Sequence, residues 1–514
     1  MKKYIYSFLG IGLLGLAFSG CSEDFLTTSP YATPTDDVYF QTHIQLDEAL
    51  IGAYKALADR TFKQDPEYGW WLLGNVGSDD AERGATLSND PTQDDICYSR
   101  QDPSNGAVAS IWASWYKVLA RCNLVIDKSE VVTGDKDIIE RIVREAKFLR
   151  ALSYYHLVIN WGGVPLFTSY AYVSEAIRPK SPAEEIWQLI EQDLTEATGL
   201  PSRSEWGIEQ LGRATSGAAW SMLGKVYMYQ HKYAEAVDAF YEVVNSGEYF
   251  LEDDYGFIFR QEGNNNSESI FETQHMAYTN ASTGSINPMM QQPSEEPSAG
   301  WSRNTPTQDL LDEFEEGDPR IIYTFLFIGD TLPSNSAIPY VVENIESNTG
   351  YASRKAFLPL PIRGNQDKFD YAQNVKFLRY AEVLLLYAEA LNETGRPADA
   401  LIYLNMIRER ARNTPSSDPE RIYCNYDLSY TGELLPDITT TDQAELRDAI
   451  YHEMRIELGE EGHRREFLMR TGQFFERMNA AKGLNLSDEK WLLLPIPRDE
   501  IAKSDGVLVQ NPGY

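Results

Sequence analysis

Two stretches of the chain set large aromatic rings beside hydrogen-bonding groups. Trp70-Trp71 is followed by Ser78-Asp79-Asp80 and then Glu82-Arg83, and Trp301 is followed by Ser302-Arg303-Asn304. An indole face stacks on the C–H side of a ring, while carboxylates, amides and guanidinium groups take its polar substituents. Tyr278 and Asn280 repeat the pairing more weakly. Trp206 and Trp491 also stand outside helical patterns, whereas Trp112, Trp115, Trp161, Trp187 and Trp220 stand inside them and are expected in the core. The competing reading of Trp70-Trp71 is that at least one ring is buried, and of Trp301 that it packs against its own loop.

Catalytic signatures fail one by one. Gly10-Ile-Gly12-Leu-Leu-Gly15 has the spacing of a dinucleotide loop but no strand before it. His452-Glu453 opens like a zinc-protease helix and lacks the second histidine, and Gly300-Trp-Ser302-Arg-Asn304 lacks the last glycine of a nucleophile elbow. Six histidines, at 43, 156, 231, 275, 452 and 463, form no ligand spacing, so no metal is assigned. The four cysteines at 21, 97, 122 and 424 make neither a CxxC pair nor a disulfide framework. Seventy-seven acidic residues permit a helical glycoside hydrolase, a reaction that needs two carboxylates placed across one bond in space. No motif supports it, and neither catalysis nor a cofactor is expected. Glu453, Glu457 and Glu461, four residues apart, read as helix-surface charges compensated by Arg455, Arg464 and Arg465.

The elements that must carry these groups follow from composition and periodicity. With 43% hydrophobic residues over 514 positions, the chain can bury a large core. A net charge of −32 repels polyanions, which excludes nucleic acid as a partner. Lys2-Lys3 precede an apolar run from Tyr4 to Phe18, shorter than the roughly 20 residues that cross a bilayer, and residues 1–20 read as a secretory signal. Ser19-Gly20 then precedes Cys21, the pattern of a bacterial lipoprotein cleaved and acylated at that cysteine; the alternative is an ordinary cysteine near an ordinary cleavage site. Glu23-Asp24 resembles the export signals that place such proteins outside the outer membrane. The later apolar stretch Val375 to Leu391 is interrupted by Lys376, Arg379, Glu382 and Glu389 and reads as one buried core helix.

Helices come in pairs. Ile142, Ala146, Leu149, Leu152, Tyr155 and Ile159 line one face of a helix that Gly162-Gly163 stops, and a helix over about 107–126 can pack against it. Trp220, Leu223, Gly224 and Tyr227, followed by Ala236 and Phe240, fit a tetratricopeptide repeat. Leu384, Tyr387, Ala388 and Leu391 repeat the offset before the break Gly395-Arg396-Pro397 and the helix of Ala400 and Leu404. Long stretches rich in Asn, Ser, Gly and Pro separate the pairs, with Gly263 to Ser269 expected as a flexible tip.

Five segments then align in order with one family. Glu145-Ala-Lys-Phe-Leu-Arg150 running into Asn160-Trp161-Gly162-Gly163-Val164-Pro165, Asp318-Pro319-Arg320 after Leu310 to Phe314, Arg379-Tyr380-Ala381-Glu382, Glu453 through Arg464, and the closing Gln510-Asn511-Pro512-Gly513 together resemble the SusD/RagB family of surface nutrient-binding lipoproteins. The resemblance spans the chain beyond Cys21. It implies a mainly α fold, a tetratricopeptide-like helix-pair scaffold with long irregular loops and minor β structure. It divides the chain into a signal (1–20), an N-terminal helical region (21–250) and a loop-rich C-terminal region (251–514). It implies a lipid-anchored outer-membrane protein at the cell surface that captures an oligosaccharide and caps a SusC-like TonB-dependent transporter. Peptide-importing relatives make a peptide or other nutrient the alternative ligand. The candidate ligand residues are Trp301, Trp70, Trp71, Asp79, Asp80, Arg83, Arg303, Asn304 and Tyr278, with lipidation at Cys21. Arg150, Glu382 and Arg464 are expected to form inter-helix ion pairs.

Overall fold

Helices form where apolar residues recur at three- and four-residue steps and a side chain closes the first turn. The computed structural model describes residues 39–59, 65–84, 90–170, 177–276, 284–293, 300–335, 337–363 and 371–514, and structural statements refer to these. Helix α1 (His43–Leu57) starts at a reciprocal cap between Thr42 and Gln45. Asn105 caps α2 (Gly106–Lys128) and Asp135 caps α3 (Lys136–Trp161), each accepting from two backbone N–H groups. Gly162, at φ +69°, ends α3. The expected hairpin is present, with Trp112 edge-on to Trp161 at 5.4 Å.

Next come α4 (Ala183–Ala197), α5 (Ser216–Tyr229) and α6 (Tyr233–Val244). Gly224 is required by packing, since a Cβ there would lie 2.4 Å from the Phe240 ring. A second pair follows, α7 (Tyr380–Glu393) and α8 (Pro397–Asn413), then α9 (Gln443–Leu458), α10 (Arg464–Arg470) and α11 (Phe474–Lys482). Strands pair only two at a time among the described residues. β1 (Ala81–Glu82) runs antiparallel to β3 (Thr305–Pro306), and β2 (Ser269–Glu272) to β4 (Lys376–Arg379). One apolar core extends from Phe40 to Leu508 across residue 250, through contacts such as Phe148 on Phe271 at 4.9 Å. The mainly α helix-pair architecture is the one expected. No described helix is long and apolar enough to cross a membrane.

Three expectations are corrected. Residues 375–391 are not one helix: β4 pairs with β2 over 376–379 and α7 begins only at Tyr380. Residues 263–269 are held rather than free. Asn266 accepts from the N–H groups of Glu268 and Ser269, and the Arg203 guanidinium donates to the carbonyls of Asn265 and Ser269. The third concerns charge. Glu453 and Glu457 are 0% exposed, not on the helix surface.

These glutamates sit in a buried ionic lattice. Arg320 bridges Asp318 (2.8 Å), Glu453 (2.6 Å) and Glu457 (3.0 Å). Arg379, projecting from the end of β4, joins Glu268 and Glu457 at 2.7 Å each and Glu461 at 2.6 Å. Arg410 also spans Glu268 and Glu457, and Arg408 joins Glu453 to Glu315. Burial alone would raise the Glu457 carboxyl; Arg410, Arg379 and Arg320 reverse that and hold it far below the usual range. Arg150 pairs with Asp193 and Glu382 with Lys225, the inter-helix pairs expected, whereas Arg464 pairs with Asp79 in the bend before β1 rather than with another helix.

Two outcomes follow for stability. Arg379→Met leaves three buried carboxylates short of a cation, so it should cost about 3–5 kcal/mol in urea unfolding, with Glu457→Gln in the same chain restoring part of it. A loss below 1 kcal/mol would show that the lattice does not hold the fold. The second outcome concerns His452, whose Nδ1 lies 2.9 Å from Glu313 and Nε2 3.5 Å from Glu315. Burial would lower its pKa, but the two carboxylates raise it to about 9. A raised histidine pKa contributes stability that is complete below about pH 6.5 and lost as pH rises through the folded value. The stability gap between wild type and His452→Gln should therefore be widest near pH 6, shrink between about pH 6.5 and 9 and be lost above that; a gap independent of pH refutes the pairing.

Candidate functional site

The pairing of β1 with β3 brings the two sequence stretches together. Glu82 lies opposite Thr305, whose hydroxyl donates to the Glu82 carbonyl at 3.0 Å. Gly84 passes so close to the second strand that a Cβ would sit 2.5 Å from the Ser302 carbonyl oxygen. Trp301 leads into that strand through Ser302, which adopts φ +45°. Backbone hydrogen bonds from Trp301 to Met289, Ser302 to Gln292 and Arg303 to Met290 hold the turn.

Trp301 is half-buried, one side packed on the core. The Arg303 guanidinium lies 4.9 Å from its ring centre and donates to Asp90 at 2.9 Å. Desolvation by burial lowers the Arg303 pKa. Arg83 forms a two-point pair with Asp94, the Nη2 contact being 3.0 Å. Tyr98, partly exposed, donates to Glu82 at 3.3 Å with Arg100 over its ring at 5.1 Å. The Arg303–Asp90 pair is itself buried, at 8% and 7% exposure, so it supports the indole from within, while Trp301, Arg83, Asp94 and Tyr98 are the partly exposed groups of these segments, able to stack a ring and to donate and accept hydrogen bonds.

Other expected residues are elsewhere. Trp70, 7% exposed, and Trp71 are inside: Trp70 Nε1 donates to the Glu461 carbonyl at 2.7 Å and Trp71 Nε1 to Asn287 at 2.8 Å. Their rings pack on His156, His463, Phe377 and Tyr68, which removes them from the surface. Asp79 and Asp80 point inward as well. Asp79 takes both arms of Arg464 at 2.8 Å and Asp80 takes Arg455 at 2.9 Å, because a carboxylate this deep needs a cation. Asn304 is buried beneath Trp301 and Arg303, its Nδ2 donating to Gln291 (2.9 Å) and Glu460 (2.8 Å). Tyr278, Asn280 and Cys21 lie outside the described residues. Tyr98, Asp90 and Asp94 were missed. Asp90-Pro91, a cap residue followed by a first-turn proline, was the available signal for the helix Pro91–Cys97 that presents them.

Asp90 and Asp94 are each engaged by a guanidinium group, which makes them anchors and acceptors. One group of metal-ligand type exists among the described residues, Glu382, His463 and Glu466. The Lys225 ammonium already stands there, 2.7 Å from Glu382 and 2.6 Å from Glu466, in the place a metal would take.

Comparison with known proteins bears on the family and the fold. A model described as the SusD family matches residues 267–514, and one described as starch-binding, associating with the outer membrane, matches residues 24–228. SusD-like protein P2 of Formosa agariphila is 26% identical over 100% of both chains, and a SusD-like protein of Bacteroides ovatus is 25% identical over 79% of this chain and 76% of its own. A solved laminarin binding SusD-like protein is 27% identical with a TM-score of 0.74, covering 92% of this chain and 100% of that one. The surface glycan-binding protein A from Bacteroides thetaiotaomicron, in complex with laminarihexaose, shares the fold at 22% identity, with a TM-score of 0.74 and coverage of 92% and 100%. Matched in both halves and along the full length of such relatives, the chain belongs to the SusD/RagB family.

Proposed function

We propose that the protein is a cell-surface glycan-binding lipoprotein, anchored through Cys21, that captures an oligosaccharide and hands it to a SusC-like TonB-dependent outer-membrane transporter, without catalysis of its own. The observation that carries the binding reading is Trp301, half-buried on a hydrogen-bonded turn with the Arg303 guanidinium 4.9 Å from its ring, next to a strand whose partner carries Glu82 and leads into Arg83. A pyranose offers C–H groups to an indole and hydroxyls to the flanking carboxylates and guanidinium groups. The laminarin binding relative supports a glycan as the ligand class. Delivery to a transporter rests on family membership and on the anchor pattern at Cys21.

A glycan and peptide array on the chain from Cys21 onward tests the ligand class: oligosaccharide hits are expected, and peptide hits alone would replace the reading with peptide import. Reducing-end release from a bound glycan would make it a hydrolase. With the oligosaccharide the array selects, Trp301→Ala should weaken binding by on the order of 1–3 kcal/mol, about fivefold to more than a hundredfold, in calorimetric titration. The thermal melt should shift less than for a fully buried tryptophan, whose loss costs about 3–5 kcal/mol. Unchanged affinity with a strongly lowered melt would make Trp301 a packing residue. Cys21→Ala should move the protein from the membrane to the soluble fraction with its fold intact, and continued labelling of the variant by palmitate would rule out that anchor.

A further inference from the structure

Trp71 is interior, and its indole N–H holds a residue that leads to the Trp301 turn. Glu67 lies one helical turn earlier on the same helix, Pro66–Trp71, and the two side chains take both ends of one amide. Trp71 Nε1 donates to Asn287 Oδ1 at 2.8 Å, and Asn287 Nδ2 donates to Glu67 Oε2. An indole N–H can only donate, so the amide of Asn287 has one orientation: oxygen to Trp71, nitrogen to Glu67.

Glu67 gathers more than this bond. Its Oε1 accepts from Thr273 Oγ1 at 2.5 Å and lies 2.6 Å from His275 Nε2, and Oε2 also accepts from Ser285 Oγ at 3.4 Å. All five side chains are buried. One carboxylate thus ties the helix that leads toward β1 to the residues after β2 and to the segment that begins at Ser285.

That segment carries the Trp301 turn. Asn287 is the first residue of a five-residue helix, Asn287–Gln291. Three backbone hydrogen bonds from the turn end on this helix or on the residue after it: Trp301 N–H on Met289 (2.9 Å), Arg303 N–H on Met290 (2.8 Å) and Ser302 N–H on Gln292 (2.8 Å). Gln291 Oε1 receives Asn304 Nδ2 at 2.9 Å. Met289 and Met290 bury the helix, but apolar burial has no preferred direction and does not fix the rotation of so short an element. The two bonds to the Asn287 amide do, because a hydrogen bond weakens steeply off line.

We propose that Glu67 is a positioning residue for the binding face: through Asn287 it sets the rotation of the helix Asn287–Gln291, and with it the placement of the Trp301 ring. Trp71 shares the task from the other end of the amide. The use of that placement rests on the reading of Trp301 as a ligand platform. A ring fixed in advance through its backbone lowers the ordering cost of capture.

The test labels the chain from Cys21 onward with fluorotryptophan and identifies the Trp301 fluorine resonance by its loss in Trp301→Phe, a readout that needs no ligand. Glu67→Gln keeps the shape and removes an acceptor. It should shift or broaden the Trp301 resonance while those of Trp187 and Trp220 on the scaffold stay, and should weaken binding of the array-selected oligosaccharide about tenfold. Adding Asn287→Asp to Glu67→Gln exchanges donor and acceptor across the same contact and keeps an acceptor for Trp71, so the double variant should restore both. A residue that only stabilised the fold would lower the melting temperature without moving the Trp301 resonance. If Glu67→Gln does not fold, Trp71→Phe removes the other bond to Asn287, keeps a buried ring and should give the same shift. An unmoved Trp301 resonance in whichever of these variants folds, or a shift that the double variant does not reverse, overturns the proposal. Failure of both to fold marks a purely structural role and overturns it as well. A shifted and restored resonance in a chain that binds no oligosaccharide would remove the platform reading and leave the placement of Trp301 by Glu67 standing.

Discussion

The structure depends on the requirement that charges taken out of water meet opposite charges at close range. Arg379 is where this acts most strongly. Its guanidinium reaches Glu268, Glu457 and Glu461, residues almost two hundred positions apart, and does so from the end of the strand that β2 receives. An ion left unpaired at that depth costs several kcal/mol, so the partners specify one arrangement of the segments that carry them. Helix α9 becomes the spine, with Glu453 and Glu457 turned toward arginines from three other parts of the chain.

The same rule reaches the surface. Arg455, on α9, takes Asp80 and Asp79, and the backbone of those two aspartates receives the Thr307 N–H and hydroxyl. Thr307 follows β3, which pairs with β1, and Trp301 and Arg83 flank those two strands. A buried ion pair thus fixes the strand pair beside which the half-buried Trp301 stands, with the Arg303 guanidinium 4.9 Å from its ring. A face built this way is preorganised on the side that faces the core, which lowers the ordering cost of binding there.

Helix existence was legible because periodicity and caps are local. The helix pairs at Trp220–Phe240 and Leu384–Leu404, the cap residues Asn105 and Asp135 and the close approach at Gly224 all follow from residues within a few turns of one another. Residues 376–379 were not legible as a strand. Their apolar content suits a buried helix equally well, and only the presence of β2 as a partner decides between the two.

The candidate site divides along the same line. By itself the sequence determined that Trp301, Arg303 and Arg83 stand on irregular segments beside polar residues, since that is a matter of neighbours in the chain. It also determined that Glu453 and Glu457 share one side of a helix; Glu461, expected on the same helix, lies past its end at Leu458 and reaches Arg379 from the turn that follows. Which side is buried was decided only by tertiary structure, because the arginines that neutralise it come from positions 320, 379, 408 and 410. Asp79, Asp80, Trp70 and Trp71 look as exposed in sequence as Trp301 does, yet they are interior, because burial is a sum over partners distant in the chain. Periodicity and capping act over one or two helical turns and can be read in order; desolvation and ion pairing act between segments, and only the folded chain brings those together.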